Sequence, residues 1–291
     1  MSDLLLAKPI KKPFFTPWVW VLCGIICIGM IFIAMRFIYG IGAISNIDHY
    51  YPWGVFKGFT VAAFVALSAG GFTTAALGHI FHRENYHIII RPALLIAMFG
   101  YTFAGGSVFF DLGRYYYIFH PVYMWNANSA LFEVGICVMI YLTVLYIEFI
   151  PVVTERFLGK VNLRYGLGFL NGFVEKLLAF LDNSLSKSLF LFVIAGVVLS
   201  TLHQSSLGTL MVIAGTKIHP LWQTPVLPIL FLISAIAVGF PIVIFENLWT
   251  CWAFNLKPKI NLLSRLGTLV ALLLFVYLGF KLTDMVIRQT F

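Results

Sequence analysis

Charged residues are scarce in this sequence. Asp, Glu, Lys and Arg make up 10% of the 291 residues, whereas 61% are hydrophobic. Soluble domains carry about 25% charged residues, so this composition excludes an ordinary soluble protein. The sequence instead predicts an all-α polytopic membrane protein that forms a single integral membrane domain over residues 1–291.

Cysteine is also rare and never occurs in a metal-binding pattern. The four cysteines, Cys23, Cys27, Cys137 and Cys251, lie within or beside apolar segments and form neither CxxC nor a ferredoxin-like run. We therefore expect no metal site and no iron–sulfur cluster bound by this chain.

Several other patterns are missing. No two histidines lie at mid-membrane depth on two helices, as bis-histidine haem requires, so we expect no haem. There is no phosphate-binding glycine loop and no nucleophile elbow. The net charge is +8, but no basic stripe interleaves with aromatics, so nucleic acid is not an expected partner. The polar, lysine-bearing start does not resemble a cleavable signal peptide.

Long apolar runs are what the sequence does contain. Runs of about 20 residues predict seven transmembrane helices, which cover residues 18–39, 56–80, 91–111, 128–152, 187–204, 226–249 and 265–286. Between the fourth and fifth runs, apolar residues recur with helical periodicity on a half-polar segment, which predicts an interfacial helix over residues 169–185.

Lysine and arginine are distributed unevenly between the two sides of these spans. Most of the 19 lie on the side of the N-terminus, and the positive-inside rule then predicts a cytoplasmic N-terminus. The loops 41–55, 113–127 and 205–226 would face outward. Their many aromatic residues are explained either by a membrane-interface belt or by a docking face for an extra-cytoplasmic partner.

The segment 126–151 carries two acids inside one predicted span. Glu133 and Glu148 are 15 positions apart, which in a helix corresponds to about 22 Å along the axis and about 60° around it. Both can face the same interior, one near each membrane surface. Ionisable groups inside a span are costly and usually functional, so this helix indicates a proton route or a polar ligand site.

Other polar residues gather near the outer ends of the spans. Asp111 and Arg114 would share a face and pair if the third helix continued that far, either to fix the loop or to form the lip of a ligand pocket. His203 and Gln204 end the fifth span in the same leaflet as Glu133. A histidine beside a carboxylate suits a proton-donor pair, although a satisfied helix-end histidine is the alternative.

A second polar group is predicted at the inner ends of the spans. Arg91, Glu148 and Glu246 fall there, and buried opposite charges tend to pair, so Arg91 is expected to bind one of the two glutamates. The other glutamate would then be a candidate for reversible protonation.

An ordered set of segments closely resembles the NrfD or polysulfide-reductase family of membrane subunits. Within that family the similarity is greatest to the HybB-type integral membrane subunits of quinone-linked periplasmic nickel–iron hydrogenases. The segments are YPWGVFKGF, AGGF, YHIIIRPALL, FFDLGRYY, NANSALFE, YIEFIPVVTER, LHQSSLG, KIHPLWQ and IVIFE. Longer HybB-like proteins carry about three more spans after the position where this sequence stops.

The resemblance implies a haem-free subunit that binds menaquinone or ubiquinone in a four-helix bundle formed by the first four spans. It assigns Asp111, Glu133 and His203 to quinone protonation. The residues it places around the quinone are Asp111, Arg114, Asn126, Glu133, His203 and Gln204. The residues it places on a proton path are Arg91, Glu133, Glu148 and Glu246.

The resemblance also implies partners and a location. Electrons would pass through an extra-cytoplasmic, ferredoxin-like iron–sulfur subunit that connects to the large and small hydrogenase subunits. The chain would lie in the lipid of the inner membrane, with its partner face in the periplasm, as a quinone-reactive or non-catalytic subunit of a hydrogen:quinone oxidoreductase.

Three alternatives stay open. The chain could serve a polysulfide or molybdopterin-type reductase, or it could be a passive anchor for soluble subunits. It could also be a proton channel or transporter without a redox role, for which an inverted repeat with broken helices would be expected. We find no such repeat in the sequence.

Overall fold

A computed structural model describes residues 13, 15–47, 55–79, 87–162, 167–213, 215 and 219–290 of the chain. Within these ranges the regular structure is helical. The α-helices are α1 (Pro17–Tyr39), α2 (Val55–His79), α3 (His87–Asp111), α4 (His120–Tyr123), α5 (Ala130–Phe157), α6 (Asn171–Ile213), α7 (Leu227–Phe254) and α8 (Ile260–Arg288). A 3-10 turn, Tyr115–Phe119, precedes α4. The all-α fold predicted from composition is confirmed.

Six of the described helices are long and apolar enough to cross a membrane. They are α1, α3, α5, α7, α8 and the part of α6 from Lys187 to Ile213. The second predicted span corresponds to a shorter apolar stretch of α2, Gly58–Thr74. The protein is therefore an integral, multi-pass membrane protein. We call the end of the bundle with the α3–α5 and α6–α7 connections the upper end, and the opposite end the lower end.

The core is a four-helix bundle, but α1 is not part of it. Helices α2, α3, α5 and α6 pack together, and α7 packs against α2 and α6. One buried cluster joins Phe72 of α2, Tyr101 of α3, Tyr141 of α5 and Leu207 of α6. The first four spans, which correspond to α1, α2, α3 and α5, were predicted to form the bundle. This prediction is corrected, because the fourth helix of the bundle is α6 and not α1.

Helix α1 lies at the edge of the molecule. Within it only Arg36 is buried, while side chains along its length, such as Ile25 and Ile31, are more than half exposed. An all-round apolar helix of this kind suits contact with lipid. Its attachment to the bundle is concentrated near its C-terminal end.

Helix α6 is one continuous helix of 43 residues. At about 1.5 Å per residue it is about 65 Å long, roughly twice the hydrocarbon thickness of a bilayer. The predicted interfacial helix 169–185 is therefore continuous with the fifth span and not a separate helix. Hydrogen bonds hold the extension against the end of α5: Thr154 donates to Asp182 over 2.9 Å, and the Gly159 N–H donates to Glu175 over 2.5 Å.

A polar network closes the upper ends of α7 and α8. Asp284 is 8% exposed, and its carboxylate accepts hydrogen bonds from Thr224 over 2.6 Å and from Arg288 over 2.8 Å. The Lys281 ammonium donates to the Leu221 carbonyl oxygen over 2.6 Å. These charged hydrogen bonds fix the α6–α7 connection against α8.

Candidate functional site

A column of polar side chains runs along the buried face of α5. Glu133, Cys137, Tyr141 and Glu148 follow one another at spacings of four, four and seven residues, so they occupy one side of the helix. Cys137, Tyr141 and Glu148 are buried. The helix runs without interruption between the two glutamates, which places one near the upper end of the bundle and the other in its lower half.

Helix α6 presents a matching polar face to this column. Ser200, His203 and Ser206 follow at three-residue spacing and are all at most 3% exposed. The Ser206 hydroxyl donates to the Glu133 carboxylate over 2.6 Å and also contacts the Leu202 carbonyl oxygen. Because His203 lies one helical turn below Ser206, the structure brings the predicted residues Glu133 and His203 onto facing helices at the same site.

Two tyrosines complete the site. The ring of Tyr101, from α3, lies 4.3 Å from the ring of Tyr141 and 5.6 Å from the imidazole of His203, centroid to centroid. Both tyrosine hydroxyls and both imidazole nitrogens of His203 are buried and have no hydrogen-bond partner among the described residues. Buried polar atoms are normally paired, so this cluster has the capacity to bind a polar ligand or water.

Gln204 is not part of this cluster. It is 1% exposed, but it lines a small groove with Thr73 of α2 and Ala235 of α7. Neighbouring helix positions differ by about 100° in direction, so α6 turns Gln204 away from the side on which it presents His203. The Gln204 Nε2 atom is buried and has no hydrogen-bond partner among the described residues, and the grouping of Gln204 with the quinone-side residues stays a prediction.

Asp111 and Arg114 do not form the predicted ion pair. Helix α3 ends at Asp111, so the helical spacing that would align the two side chains is lost. The Arg114 guanidinium lies instead 5.8 Å from the centre of the Tyr117 ring. Asp111 is half-buried and makes other contacts.

Asn126 lies outside the buried cluster as well. It is exposed in the connection before α5, where its carbonyl oxygen accepts a hydrogen bond from the Ser129 N–H over 3.0 Å. Ser129 then caps α5, because its hydroxyl accepts from the Phe132 N–H over 3.3 Å. Asn126 thus shapes the entry into the helix that carries Glu133.

At the lower end, Arg91 pairs with a residue that sequence reasoning missed. Its guanidinium forms an ion pair with Glu155, near the end of α5. The prediction that Arg91 binds Glu148 or Glu246 is therefore wrong. Glu148 and Glu246 each keep one buried carboxylate oxygen without a hydrogen-bond partner among the described residues, while the other oxygen of Glu246 accepts from Thr250 over 2.9 Å.

Tyr101, Tyr141 and Ser206 are the site residues that sequence reasoning did not identify. A helical projection from Glu133 could have found Tyr141, eight positions further on, and one from His203 could have found Ser206. Nothing in the sequence around Tyr101 distinguishes it from the other aromatic residues of its span, because its partners come from α5 and α6.

Known proteins resemble this chain over most of its length. Residues 43–288 match the family model described as polysulphide reductase, NrfD. The chain is 34% identical over 288 residues to the probable Ni/Fe-hydrogenase 2 b-type cytochrome subunit of Escherichia coli, covering 97% of this chain and 67% of that protein. It is 27% identical over 258 residues to the menaquinone reductase integral membrane subunit of Nitratidesulfovibrio vulgaris, covering 84% and 56% respectively.

A further protein of Nitratidesulfovibrio vulgaris, described only as a protein, is 41% identical over 238 residues, which are 81% of this chain and 56% of that one. The chain thus spans between about half and two thirds of the length of these curated relatives. The family model covers most of the sequence, and the E. coli relative aligns over nearly all of it. This chain belongs to the NrfD family of membrane subunits, and it is related to the membrane subunits of hydrogenase and reductase complexes.

Proposed function

We propose that this chain is the quinone-reactive membrane subunit of a respiratory hydrogenase complex. It would pass electrons between an extra-cytoplasmic iron–sulfur subunit and the menaquinone or ubiquinone of the membrane. The observation that carries the proposal is the buried cluster of Tyr101, Tyr141 and His203 beside the hydrogen-bonded Glu133. Such a cluster in a membrane bundle is costly unless it serves a ligand or a proton.

The donors of this cluster suit a quinone headgroup. A quinone presents two carbonyl oxygens, which only accept hydrogen bonds, and the cluster offers hydroxyl and imidazole groups that have no described partner. Tyr101 and His203 would hold the carbonyl oxygens, with Asp111 and Arg114 at the upper edge. When bound, a quinone supplies two-electron redox chemistry that is coupled to two protons.

Glu133 and His203 are the proposed proton donors. Both imidazole nitrogens of His203 lack a partner among the described residues. One nitrogen can therefore give its proton to the ligand while the other takes up a replacement proton, which leaves the ring neutral. Ser206 holds one oxygen of Glu133 in place. A carboxylic acid fixed in this way can deliver its proton in a constant direction, as general acid catalysis requires.

Protons would reach this site from the lower end along the buried face of α5. Glu148 lies on the same face about 22 Å below Glu133, and the Tyr141 hydroxyl lies between them. Glu246, on α7, would form a second entrance, while Arg91 and Glu155 would form the charged mouth. If these protons come from the cytoplasm, quinone reduction would be coupled to proton translocation across the membrane.

We propose a haem-free site, although the name of the E. coli relative mentions a b-type cytochrome. Of the histidines whose side chains the structure describes, His120, His203 and His219, only His203 is buried. Its ring neighbour is Tyr101 and not a second histidine. The histidine side chains that the structure describes therefore do not fit bis-histidine haem.

The upper end is the proposed partner face, in the periplasm. The basic side chains concentrated at the lower end support this orientation under the positive-inside rule. They are Arg91, Arg156, Lys160, Lys176, Lys187, Lys257, Lys259 and Arg265. At the upper end, Tyr116, Tyr123, Met124 and Trp125 are all more than half exposed. Aromatic and methionine side chains of this kind are enriched where proteins bind each other.

The electron donor has an alternative identity. One relative is named as the integral membrane subunit of menaquinone reductase, and another is named as part of selenate reductase. A polysulfide or molybdopterin-type enzyme could therefore replace the hydrogenase without a change at the quinone site. Co-purification of the complex and identification of a nickel or a molybdopterin subunit would distinguish the two donors.

The proposal is tested by replacing Glu133 with Gln in the assembled complex. Loss of a general acid typically lowers a rate by about 100-fold or more, and we expect quinone reduction to fall by about that factor. Donor oxidation by an artificial acceptor should remain at the wild-type rate, because that reaction bypasses the quinone site.

Glu175→Gln is the matched control, since Glu175 is a glutamate of α6 that bonds only to the Gly159 N–H in the described structure. Its quinone kinetics should equal those of the wild type. Unchanged quinone reduction in Glu133→Gln would remove Glu133 from the mechanism, and proton flux through the purified chain without any redox partner would favour a channel instead.

A further inference from the structure

One arginine stands out because of where it is buried. Arg36 is 3% exposed, yet it belongs to α1, a helix that otherwise faces away from the bundle. Its neighbour on the chain, Phe37, is 38% exposed. A guanidinium group can be buried at this low exposure only if its N–H donors are satisfied, because a buried charge without partners is very costly.

The partners of Arg36 are the two carbonyl groups on either side of Asp111. The Arg36 Nε–H donates to the Phe110 carbonyl oxygen over 2.7 Å, and an Nη2–H donates to the Leu112 carbonyl oxygen. Both carbonyls lie where α3 ends, so they have no helical partner of their own and carry the negative end of the helix dipole. The arginine therefore caps α3 with charge-assisted hydrogen bonds.

Aromatic rings hold the guanidinium in this position. Its central carbon lies 4.8 Å from the centre of the Phe37 ring and 5.0 Å from that of Tyr115. Those two rings meet edge to face at 4.9 Å, and Phe109 contacts both. Cation–π contacts of this kind are strongest where water is excluded.

From this geometry we infer that Arg36 is a positioning residue for Asp111 at the quinone-side site. It fixes the backbone immediately before and after Asp111, and through Tyr115 it also fixes the start of the connection that leads to Glu133. A site residue must be held to within about 0.5 Å to act reproducibly. This inference rests on the proposed quinone function and adds to it a residue that does not itself touch the ligand.

The geometry separates arginine from lysine at this position. A lysine would keep the positive charge but not the planar fork that reaches two carbonyls at once. A glutamine would lose the charge and most of the donors. The three side chains should therefore rank as arginine, lysine and glutamine in how well they hold Asp111.

The test measures binding of 2-methyl-1,4-naphthoquinone to the full chain, purified in detergent, by quenching of protein fluorescence. We expect Arg36→Gln to raise Kd about tenfold, which is the effect of losing about 1.4 kcal/mol, and Arg36→Lys to raise it by a smaller factor. Arg156→Gln is the matched control, because Arg156 is exposed near the lower end of α5. Its Kd should equal that of the wild type.

A role in folding alone would give a different result. The yield of folded protein would fall, but the fraction that folds would bind the quinone with the wild-type Kd, and that outcome overturns the inference. If Arg36→Gln gives no folded protein, Arg36→Lys carries the test, and an unchanged Kd in that variant overturns the inference in the same way.

Failure of the proposed function would be recognisable in the same experiment. Wild-type protein that binds no quinone refutes the quinone site itself, and with it the positioning role of Arg36. A different result would refute only the inference about Arg36. In that case the wild type binds the quinone, and Arg36→Gln, Arg36→Lys and Arg156→Gln all bind it with the wild-type Kd.

Discussion

At the scale of single residues, the unpaired polar atoms inside the bundle are the most informative feature. Tyr101 and Tyr141 are fully buried, and their hydroxyls have no partner among the described residues. Burying such groups without a hydrogen bond costs about 1–3 kcal/mol each in mutational studies. A residue kept for stability alone would be phenylalanine here, so the hydroxyls point to a functional requirement.

Replacing Tyr101 with Phe should separate stability from function. Because the hydroxyl has no described partner, its removal should leave the Tm of the purified protein unchanged or slightly higher. Quinone reduction by the assembled complex should nevertheless slow by about tenfold, a loss of about 1.4 kcal/mol of transition-state stabilisation. Thermal unfolding and steady-state kinetics with a quinone measure the two effects.

Tyr146→Phe is the matched control. The Tyr146 hydroxyl hydrogen-bonds to the Thr102 hydroxyl over 2.9 Å on a half-exposed face of the same pair of helices. Its removal should cost about 0.5–1.5 kcal/mol of stability without changing the quinone kinetics. The opposite pattern, with Tyr101→Phe less stable and kinetically normal, would make Tyr101 a structural residue.

At the scale of helices, the bundle depends on close crossings that only glycine allows. Gly70 of α2 and Gly239 of α7 meet backbone to backbone, and a Cβ atom at either position would overlap the other chain segment. Transmembrane helices gain from such contacts because packing, and not water exclusion, holds them together. The crossing seats α7 beside the bundle that holds the polar cluster.

Gly70→Ala should therefore destabilise the protein. Overpacking of a tight contact typically costs about 1–3 kcal/mol, and we expect a lower Tm together with reduced yield of folded protein in detergent. Gly267→Ala is the control, because nothing lies within 4 Å of a Cβ atom built on this glycine of α8. Equal Tm values for the two variants would mean that α2 and α7 do not cross at these glycines.

At the scale of the whole molecule, the two ends differ in chemistry. The lower end carries most of the described basic side chains, and the upper end carries an exposed aromatic face around Trp125, which is 75% exposed. We propose that the upper end is periplasmic and binds the electron-transfer partner. A label that cannot cross the membrane should then react at the upper end but not at the lower end, and it should react less once the partner is bound.

Trp125→Cys and Lys160→Cys provide that test in intact cells from which any outer membrane has been removed. An impermeant maleimide should label Cys at position 125 in the chain alone and much less in the assembled complex, whereas position 160 should react only after lysis. Wild-type protein is the control for its four native cysteines. Labelling at 160 but not at 125 before lysis would reverse the proposed orientation.

The structure confirms the prediction that the long apolar segments are helices. Apolar length determines that a segment is a helix and can span the bilayer. Six of the described helices have that length, α2 contains a shorter apolar stretch, and α6 joins the predicted interfacial helix to the fifth span. Helical spacing likewise places Glu133 and Glu148 on one buried face, because both lie on one uninterrupted helix. The family resemblance is confirmed by the match over residues 43–288.

Contacts between helices were decided only by the tertiary structure. Which glutamate Arg91 binds, which way Gln204 faces, and the place of α1 outside the four-helix bundle all depend on how the helices pack and rotate. In a membrane protein, a helix face that contacts lipid and one that packs against another helix are both apolar. The sequence therefore does not show which face of a helix is buried. By itself the sequence determined a helical membrane subunit with two acids on one span; packing decided that Tyr101, Tyr141 and His203 lie between them.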